Sequence, residues 1–503
     1  MQLHTNLIAT LATMRELGVG IVKVALNWQS VAPAPGSRRA PARFNAADPA
    51  SYPPAGWAFY DQVVRQAQQD GIQVGFMLTG PAPVWAQGPG IPSGHSPRIG
   101  NWRPSPAAFG EFAHAVGERY DGSYTSKGAA APLPRVGWWS IWNEPNYGPD
   151  LAPQATANNT VETAASMYRA LLRAAWAGLA VSGHTPASDT ILIGETAPRG
   201  IARRGFPGNF SGTVPLRFIR ALYCAGESAK PLRGPAAAQI GCPATAAAAA
   251  RFVSANPALF SASGYAVHPY EQGLPPVVPT YACGLQFCWN RMSRPSDPNY
   301  ADFPEIGRLG HLLDHLNSLY GSHTHFPIWN TEYGWWTNPP YTGRGAISPA
   351  TAAAYMNWAE YLSYINPRLR SYDQYLIVDP PSADFASGLE LPNGAHKATF
   401  NAFELPLFMP SSTTHVGGRL LVWGCVRPGP YALSTTGLAP TVAIQFKTAS
   451  GGPFRTLAAV TVTNRSGYFE ARPVFARSGS VRLAWKSPTG TTVHSRTVTV
   501  TAH

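Results

Sequence analysis

The sequence predicts an α/β protein, a (β/α)8 TIM barrel followed by a smaller antiparallel β-sandwich. Up to about residue 408, short apolar runs alternate with amphipathic segments of helical period, as in a parallel sheet with crossover helices. From about residue 411 the pattern changes to period-two strands between polar turns. The length of 503 residues is also too great for one ordinary domain. We therefore predict a barrel over residues 1–410 and an accessory domain over residues 411–503.

The barrel elements follow from apolar periodicity and from the glycines and prolines that end it. The predicted strands span residues 19–28, 72–79, 136–144, 190–196, 263–270, 326–336 and 371–379. The predicted helices span residues 3–17, 57–70, 104–120, 160–181, 214–224, 304–320, 349–365 and 397–408. Because the chain begins with a helix, the first of the eight barrel strands is missing or atypical, and we expect unpaired strand edges at the seam.

The C-terminal region has the texture of an immunoglobulin-like sandwich. Its predicted strands span residues 419–426, 441–447, 458–462, 468–473, 480–486 and 491–500. This region contains no evident cluster of catalytic residues. It is either an appended structural module, which is the interpretation we favour, or a carbohydrate-binding module.

Composition narrows the class of partner. The formal charge is +12, but the cations are scattered and the longest basic run is a pair such as Arg38-Arg39. Without a basic stripe to contact phosphates, nucleic-acid binding is disfavoured. No apolar stretch reaches the length of a membrane span. The sequence therefore predicts neither a nucleic-acid nor a membrane partner.

Five cysteines suggest export. Cys224 and Cys242 bracket one short loop, and Cys283 and Cys288 bracket another. Two local pairs of this kind indicate disulfides and hence a secreted or extracellular protein, although no signal peptide is visible. Cys425 is left over in an apolar run and is predicted to be a buried strand thiol. The alternative is that all five are reduced cytosolic cysteines.

One stretch, residues 136–146, organises the candidate site. It begins as an apolar, aromatic run typical of a buried strand and ends in Asn143-Glu144-Pro145-Asn146. Pro145 cannot donate a backbone hydrogen bond, so strand pairing should stop after Glu144. A carboxylate is thus placed at the carboxyl end of a buried strand, where α/β barrels carry their chemistry.

Other predicted strand ends carry matching groups. Residues 263–270 end in His268-Pro269-Tyr270, and residues 326–336 contain Thr331-Glu332-Tyr333-Gly334-Trp335-Trp336. Trp85 follows the strand at 72–79. Aromatic rings stack on sugar faces and amides bind hydroxyl groups, while two carboxylates on separate strands are what glycoside hydrolysis requires. The two glutamates as structural salt-bridge partners are the weaker alternative.

These motifs resemble those of clan A glycoside hydrolases. Residues 142–146, 268–270 and 331–335 are similar to the clan's fourth-, sixth- and seventh-strand motifs, and the texture is most similar to glycoside hydrolase family 39 and its bacterial relatives. The similarity extends over most of residues 1–408. The resemblance implies a retaining enzyme, with Glu144 as general acid/base and Glu332 as nucleophile.

The resemblance also implies roles for neighbouring residues. Asn143 would bind the sugar 2-hydroxyl, Tyr270 would hold Glu332, and His268 would support the acid/base side; a merely packed His268 is the alternative. Lys23 departs from the pattern, because an arginine near the nucleophile is common in the clan and a lysine lacks its bidentate fork. The candidate platforms for bound sugar are Trp85, Trp335 and Trp336, whereas Trp138, Trp139 and Trp142 are predicted to be core.

The leading hypothesis is an exported retaining glycosidase that uses no cofactor and no metal. A zinc site among His311, His315, His323 and His325 is disfavoured, because His311 and His315 share a helix face without an acidic motif nearby. Long loops after several strands suggest a walled pocket and hence exo-action on a plant or microbial glycan or glycoside. The competing hypothesis is a non-catalytic carbohydrate-binding or adhesion protein that uses the same cleft.

Overall fold

A computed structural model describes residues 6–156, 161–198, 200, 210–271, 273–278, 298–343, 345–382 and 384–503. Residues up to Glu404 build an alternating α/β domain. Its helices are α1 (Leu7–Glu16), α2 (Pro54–Gln69), α3 (Pro106–Arg119), α4 (Thr163–Val181), α5 (Pro215–Leu222), α6 (Ile306–Ser318), α7 (Pro349–Ile365) and α8 (Ala398–Glu404). Its main strands are β1 (Ile21–Asn27), β2 (Gln73–Thr79), β3 (Trp138–Ile141), β4 (Thr190–Thr196), β5 (Gly264–Val267), β6 (Ile328–Tyr333) and β7 (Leu369–Gln374).

The strands β1 to β7 form one sheet in chain order, and every neighbouring pair is parallel. The sheet curls so far that Ile21 on β1 and Asp373 on β7 line the same cavity of about 60 Å³. In the described part of the chain, β1 and β7 do not pair with each other. The arrangement fits a TIM-like fold with a seam, so the prediction of seven strands and two unpaired edges is confirmed.

Local sequence explains why the elements start where they do. Helices α3 and α7 each begin with proline at a first-turn position, preceded by Ser105 or Ser348, whose side chain accepts a hydrogen bond from a backbone amide of that turn. Strands β4 and β5 are buried on both faces, as expected beneath covering helices. Trp139 and Trp142 lie fully in this core, which confirms their predicted packing role.

The C-terminal residues form a second, mainly antiparallel unit around its own core. Its main elements are β8 (Leu407–Phe408), β9 (Val422–Cys425), α9 (Gly429–Thr436), β10 (Thr441–Thr448), β11 (Gly451–Thr461), β12 (Tyr468–Ala471), β13 (Gly479–Lys486) and β14 (Val498–Ala502). Strands β8, β9 and β12 form one sheet, and β14, β13, β10 and β11 lie in another. Antiparallel pairing agrees with the sequence, whereas helix α9 was not expected and the immunoglobulin-like type remains a prediction.

Shorter elements complete the described chain. Short helices or helical turns are Trp28–Val31, Pro49–Ser51, Val84–Ala86, Pro97–Ile99, Pro235–Gln239, Ala246–Ala248, Ala249–Ala255, Ala258–Ser261 and Phe303–Glu305. Short strands are Ala155–Thr156, Val161–Glu162, Thr413–Thr414, Gly418–Arg419, Val474–Phe475 and Thr492–His494. The helix predicted over 397–408 ends at Glu404, because the chain then joins the second sheet through β8.

Helix α7 joins the two units through buried polar contacts. Oε1 of Glu360 accepts hydrogen bonds from Arg427 Nη2 at 2.5 Å and from Tyr468 Oη at 3.0 Å. One turn earlier, Oδ1 of Asn357 accepts a hydrogen bond from Arg496 Nε at 3.1 Å. Glu360 is fully buried and Arg427 nearly so. Rings also meet at this junction, namely those of Tyr361, Tyr364 and Trp423.

Replacing Glu360 by glutamine should destabilise the protein by about 3 kcal/mol, because Arg427 would keep a buried charge without its counter-ion. Thermal and urea unfolding would measure the loss. The control is Glu118→Gln on α3, whose carboxylate is about half exposed and faces His114 at 4.0 Å. This surface change should alter stability by less than about 0.5 kcal/mol. Equal stability of the two variants would contradict the role assigned to the junction.

The cysteines agree with the sequence where the structure describes them. Cys224 and Cys242 form a disulfide with a Cα–Cα distance of 5.5 Å, as predicted, and Cys425 is a free, buried thiol on β9. Cys283 and Cys288 lie outside the described residues. Among the helices of the described residues, none is long and apolar enough to cross a bilayer. Secretion itself stays a prediction.

Candidate active site

Five charged or titratable side chains converge above the carboxyl ends of the parallel strands. Glu144 follows β3, Glu195 ends β4, His268 follows β5, and Glu332 lies on β6. Lys23 reaches the same point from within β1. Because parallel strands share one direction, their carboxyl ends form a single mouth, and the sheet brings together groups up to 309 residues apart in sequence.

Glu144 stands on a strained backbone. Its φ is +35°, and Trp142, two residues earlier, has φ +68°. Such left-handed conformations are costly for residues other than glycine and are retained where surrounding contacts enforce them. The backbone N–H of Glu144 donates to the carbonyl oxygen of Glu195 at 3.0 Å, and Glu195 has φ +48° itself. Two of the positive-φ residues of the described chain, Glu144 and Glu195, are thus joined by a backbone hydrogen bond.

Glu332 is held by groups from two other strands, β1 and the end of β5. Its Oε1 accepts a hydrogen bond from Lys23 Nζ at 3.1 Å, and its Oε2 accepts one from Tyr270 Oη at 3.1 Å. His268 Nδ1 lies 3.6 Å from Oε2 of Glu332 and 2.9 Å from Oε1 of Glu144. The two carboxylate oxygens are therefore at most 6.5 Å apart, the sum of 2.9 and 3.6 Å. The sequence-predicted pair does meet in one place.

His268 carries a positive charge in this arrangement. Nδ1 faces Oε1 of Glu144 at 2.9 Å, and Nε2 faces Oε2 of Glu195 at 2.7 Å. To donate to both acceptors, both ring nitrogens must carry hydrogen, which defines an imidazolium. Burial alone would lower the pKa of His268, but the charge of Glu332 and the hydrogen bonds to Glu144 and Glu195 raise it to about 10.

Solvent access separates two classes of group. The side chains of Glu144 and Glu332 are 18% and 15% exposed, whereas those of His268 and Glu195 are fully buried. The first pair can therefore reach a molecule in the cleft. His268 and Glu195 can act only through the side chains that they contact.

Glu195 was not among the sequence-predicted site residues. Its position at the carboxyl end of the apolar strand 190–196 is the same signal that identified Glu144, so the sequence did carry the information. Lys23, predicted near the nucleophile, lies between Glu195 at 2.9 Å and Glu332 at 3.1 Å. The two carboxylates more than offset the desolvation of Lys23 and raise its pKa above the usual range.

Asn143 is paired with a second carboxyl group that the sequence did not indicate. Its Nδ2 donates to Asp150 Oδ1 at 3.0 Å. Burial raises the pKa of Asp150 to about 8, and the charge of Glu144 adds to this, while the hydrogen bond from Asn143 opposes it. Asp150 is therefore protonated at neutral pH. It sits in the loop after β3, where no periodicity points to it.

The three candidate platforms differ in their surroundings. Trp85 packs edge-on against Trp28 at 6.0 Å and donates its indole N–H to Pro33. Trp335 is 2% exposed and packs against Tyr333, so it supports the site from inside. Trp336 is also largely buried and packs against Phe385 at 5.1 Å.

Two further groups beside the site come from the last strand. Burial raises the pKa of Asp373 to about 7, with the charge of Lys23 opposing the rise. Tyr375 lies just after β7. Burial raises the pKa of its hydroxyl, and the nearby charge of Glu332 raises it further. Irregular pairing of β6 with β7 decides which residues of β7 face inward, so period-two reasoning could not assign them.

Metal ligation finds no support in the described ranges, since no group of three or more His, Cys, Asp or Glu side chains is placed to hold an ion. His315 Nε2 faces the carbonyl of Ala229 at 2.9 Å, and His325 Nδ1 faces Asp314 at 3.1 Å.

Comparison with known proteins gives remote similarity. No protein-family model matches the chain. No curated protein sequence matches it either. Solved structures that match include a glucosidase from Croceicoccus marinus (TM-score 0.46, 11% identity, 92% of this chain and 89% of that chain) and a psychrophilic β-glucosidase from Micrococcus antarcticus (0.44, 18%, 80% and 85%). An endo-β-1,4-mannanase from Thermotoga petrophila matches with a TM-score of 0.36 and 11% identity over 98% and 93%. At TM-scores below 0.5, these likenesses are too distant to transfer an activity, and the assignment to glycoside hydrolase family 39 stays a prediction.

Proposed function

We propose that this protein is a retaining glycoside hydrolase. The observation that carries the proposal is the convergence of Glu144 and Glu332 on Nδ1 of one imidazolium, which places an oxygen of each at most 6.5 Å apart by the distances 2.9 and 3.6 Å. Retaining enzymes keep their two carboxyl groups about 5–5.5 Å apart, whereas inverting enzymes leave about 6.5–9.5 Å for a water molecule. The short separation favours double displacement.

In the first step, an oxygen of Glu332 attacks the anomeric carbon while Glu144 gives its proton to the departing glycosidic oxygen. One carbon–oxygen bond forms to Glu332 and one breaks, and the leaving group departs as a neutral alcohol. Lys23 and Tyr270 hold the nucleophile at 3.1 Å each, so its attacking geometry is preset.

In the second step, Glu144 takes a proton from water as the water oxygen attacks the same carbon. The bond to Glu332 breaks, and the sugar leaves with its original anomeric configuration. His268, donating from Nδ1 to Oε1 of Glu144, leaves the other oxygen of that carboxyl group for the proton that is exchanged. Asn143 and the protonated Asp150 supply hydrogen-bonding groups beside Glu144 for the sugar hydroxyls.

The proposed substrate is a glycan or glycoside attacked from its end, one or two sugar units at a time. Long loops at 31–56 and 86–103 follow strand ends and would wall such a pocket, whereas much of the loops at 197–213 and 271–303 lies outside the described residues. The accessory unit is proposed as structural, because it is joined to α7 through hydrogen bonds to Glu360 and Asn357.

A panel of aryl mono- and disaccharide glycosides tests the proposal directly. At least one should release its chromophore, and a matching activated 2-deoxy-2-fluoro glycoside should label the peptide that contains Glu332 with one sugar mass. Binding of sugars without any release or labelling would instead identify a non-catalytic carbohydrate-binding protein.

The pH dependence should report the proton on Asp150. Since its pKa is about 8, the group is neutral below that pH and negatively charged above it. The charged form adds repulsion beside Glu144, so the rate at pH 9 should be roughly a tenth of that at pH 7. In the variant Asp150→Asn, which keeps a neutral side chain, the decline should begin at higher pH.

Asp121→Asn, in the loop that precedes β3 at the opposite end of the barrel, is the control and should keep the wild-type profile. An unchanged alkaline limb in Asp150→Asn would contradict this assignment.

A further inference from the structure

The buried carboxylate of Glu195 collects three hydrogen bonds on one oxygen. Its Oε2 accepts from Lys23 Nζ at 2.9 Å, from His268 Nε2 at 2.7 Å and from Thr331 Oγ1 at 2.6 Å. The donors come from β1, the end of β5 and β6, so three strands meet at a single atom. The side chain of Glu195 is 0% exposed and so cannot touch a molecule in the cleft.

Glu195 stays ionised under any working condition. Burial by itself would raise its pKa, but the charge of Lys23 and the hydrogen bonds from His268 and Thr331 lower the pKa well below its usual range. A group that holds no proton at neutral pH is neither an acid nor a useful base there. Whatever Glu195 contributes must act through the groups that it binds.

Two cations lie close together around Glu195. Lys23 Nζ and His268 Nε2 are 3.3 Å apart, and both donate to Glu195, so neither can accept from the other while both are charged. Like charges at this distance are strongly unfavourable in a buried site unless a counter-charge lies between them. Without Glu195, His268 would release the proton on Nε2. The neutral imidazole would then accept a hydrogen bond from Lys23 at that nitrogen.

Each of these cations serves a different catalytic carboxylate. Lys23 donates to Glu332 at 3.1 Å, and His268 donates to Glu144 at 2.9 Å. In addition, the carbonyl of Glu195 accepts the backbone N–H of Glu144 at 3.0 Å, which ties the strained turn after β3 to the end of β4. Both catalytic carboxylates are therefore linked to the same buried residue.

We infer that Glu195 is a positioning residue that holds Lys23 against the nucleophile and His268 against the acid/base as a balanced pair of cations. The inference rests on the proposed function for its kinetic consequence, but its structural core concerns only this chain. The charged or titratable groups around His268 are Glu144, Glu195, Glu332, Lys23, Asp150 and Tyr270.

The variant Glu195→Gln tests the inference with two readouts. Titration of the His268 ring by NMR should show a pKa that falls from about 10 in the wild type to below about 7. The kcat for an aryl glycoside should fall roughly a hundredfold while KM changes less than about threefold, because the residue does not touch the substrate.

Two further variants separate the effect of the charge of Glu195 from the effects of its side-chain length and of a general loss of stability. Glu195→Asp keeps the charge but shortens the side chain, so His268 should stay protonated and kcat should fall only roughly tenfold; this variant also serves if Glu195→Gln fails to fold. Glu360→Gln removes a comparable buried charge at the domain junction and should leave kcat and the His268 titration unchanged.

The outcomes distinguish the two proposals. If Glu195→Gln keeps a charged His268 and a kcat within about threefold of wild type, the positioning role is overturned while glycosidase activity stands. An equal loss in the Asp and Gln variants, with His268 charged in both, would also overturn it. If the wild type hydrolyses no glycoside, the proposed function fails, whereas the NMR titration still decides whether Glu195 balances the cations.

Discussion

Replacing Glu332 by alanine should lower kcat by more than about a thousandfold for every glycoside that the wild type cleaves, because no side chain then attacks the anomeric carbon. The space left by the carboxylate faces Lys23 and Tyr270, which would hold a small anion in its place. Added azide should therefore restore part of the rate. Its direct attack is a single displacement, so the glycosyl azide should have the inverted anomeric configuration by NMR.

Two results would contradict this assignment. Turnover by Glu332→Ala within tenfold of wild type would exclude Glu332 as nucleophile. A rescued product of retained configuration would place the covalent bond on another residue. Thermal unfolding of the variant provides the control, since Lys23 keeps Glu195 as a counter-ion at 2.9 Å and the protein should therefore stay folded.

Replacing Glu144 by alanine should give a loss that depends on the leaving group. Glycosides with poor leaving groups need the proton of Glu144 and should react about 10²–10⁴-fold more slowly. Those with strongly acidic phenols need little protonation, so their first step should be nearly unaffected and the glycosyl-enzyme should accumulate. Azide should then attack this intermediate and give a glycosyl azide of retained configuration, the opposite stereochemistry to that of Glu332→Ala.

A pre-steady-state burst followed by slow turnover on an activated substrate would be the kinetic sign of this variant. Glu144→Gln serves as a matched variant that fills the same space and should show the same dependence on leaving group. A uniform loss across all leaving groups would instead mean that Glu144 only binds the substrate.

The sequence predicted the fold and the two glutamates for a physical reason that they share. Buried parallel strands are continuous apolar runs, and a polar residue at the carboxyl end of such a run is conspicuous. Glu144 and Glu332 were found by that signal. Glu195 obeys the same rule and could have been found, although its strand lacks a helix- or strand-breaking proline to draw attention to it.

Other features depended on distances that a sequence does not contain. Asp150 reaches Asn143 only because the loop after β3 folds back on itself, with Asp150 N–H donating to the carbonyl of Tyr147. The ring of Trp335, a candidate platform by sequence, is 2% exposed and packs against Tyr333. The balance of charge between Lys23 and His268 likewise required coordinates.

The contacts of α7 have a practical consequence for anyone who wishes to shorten this protein. A chain cut at residue 410 would leave Glu360 without Arg427 and Tyr468, and it would uncover the rings of Tyr361 and Tyr364. The newly exposed face of α7 would carry an aromatic patch and a carboxylate without its counter-ion. Helix α7 directly follows β6, the strand of Glu332. A minimal catalytic fragment would therefore need a redesigned α7 surface before it could be expected to stay folded and in solution.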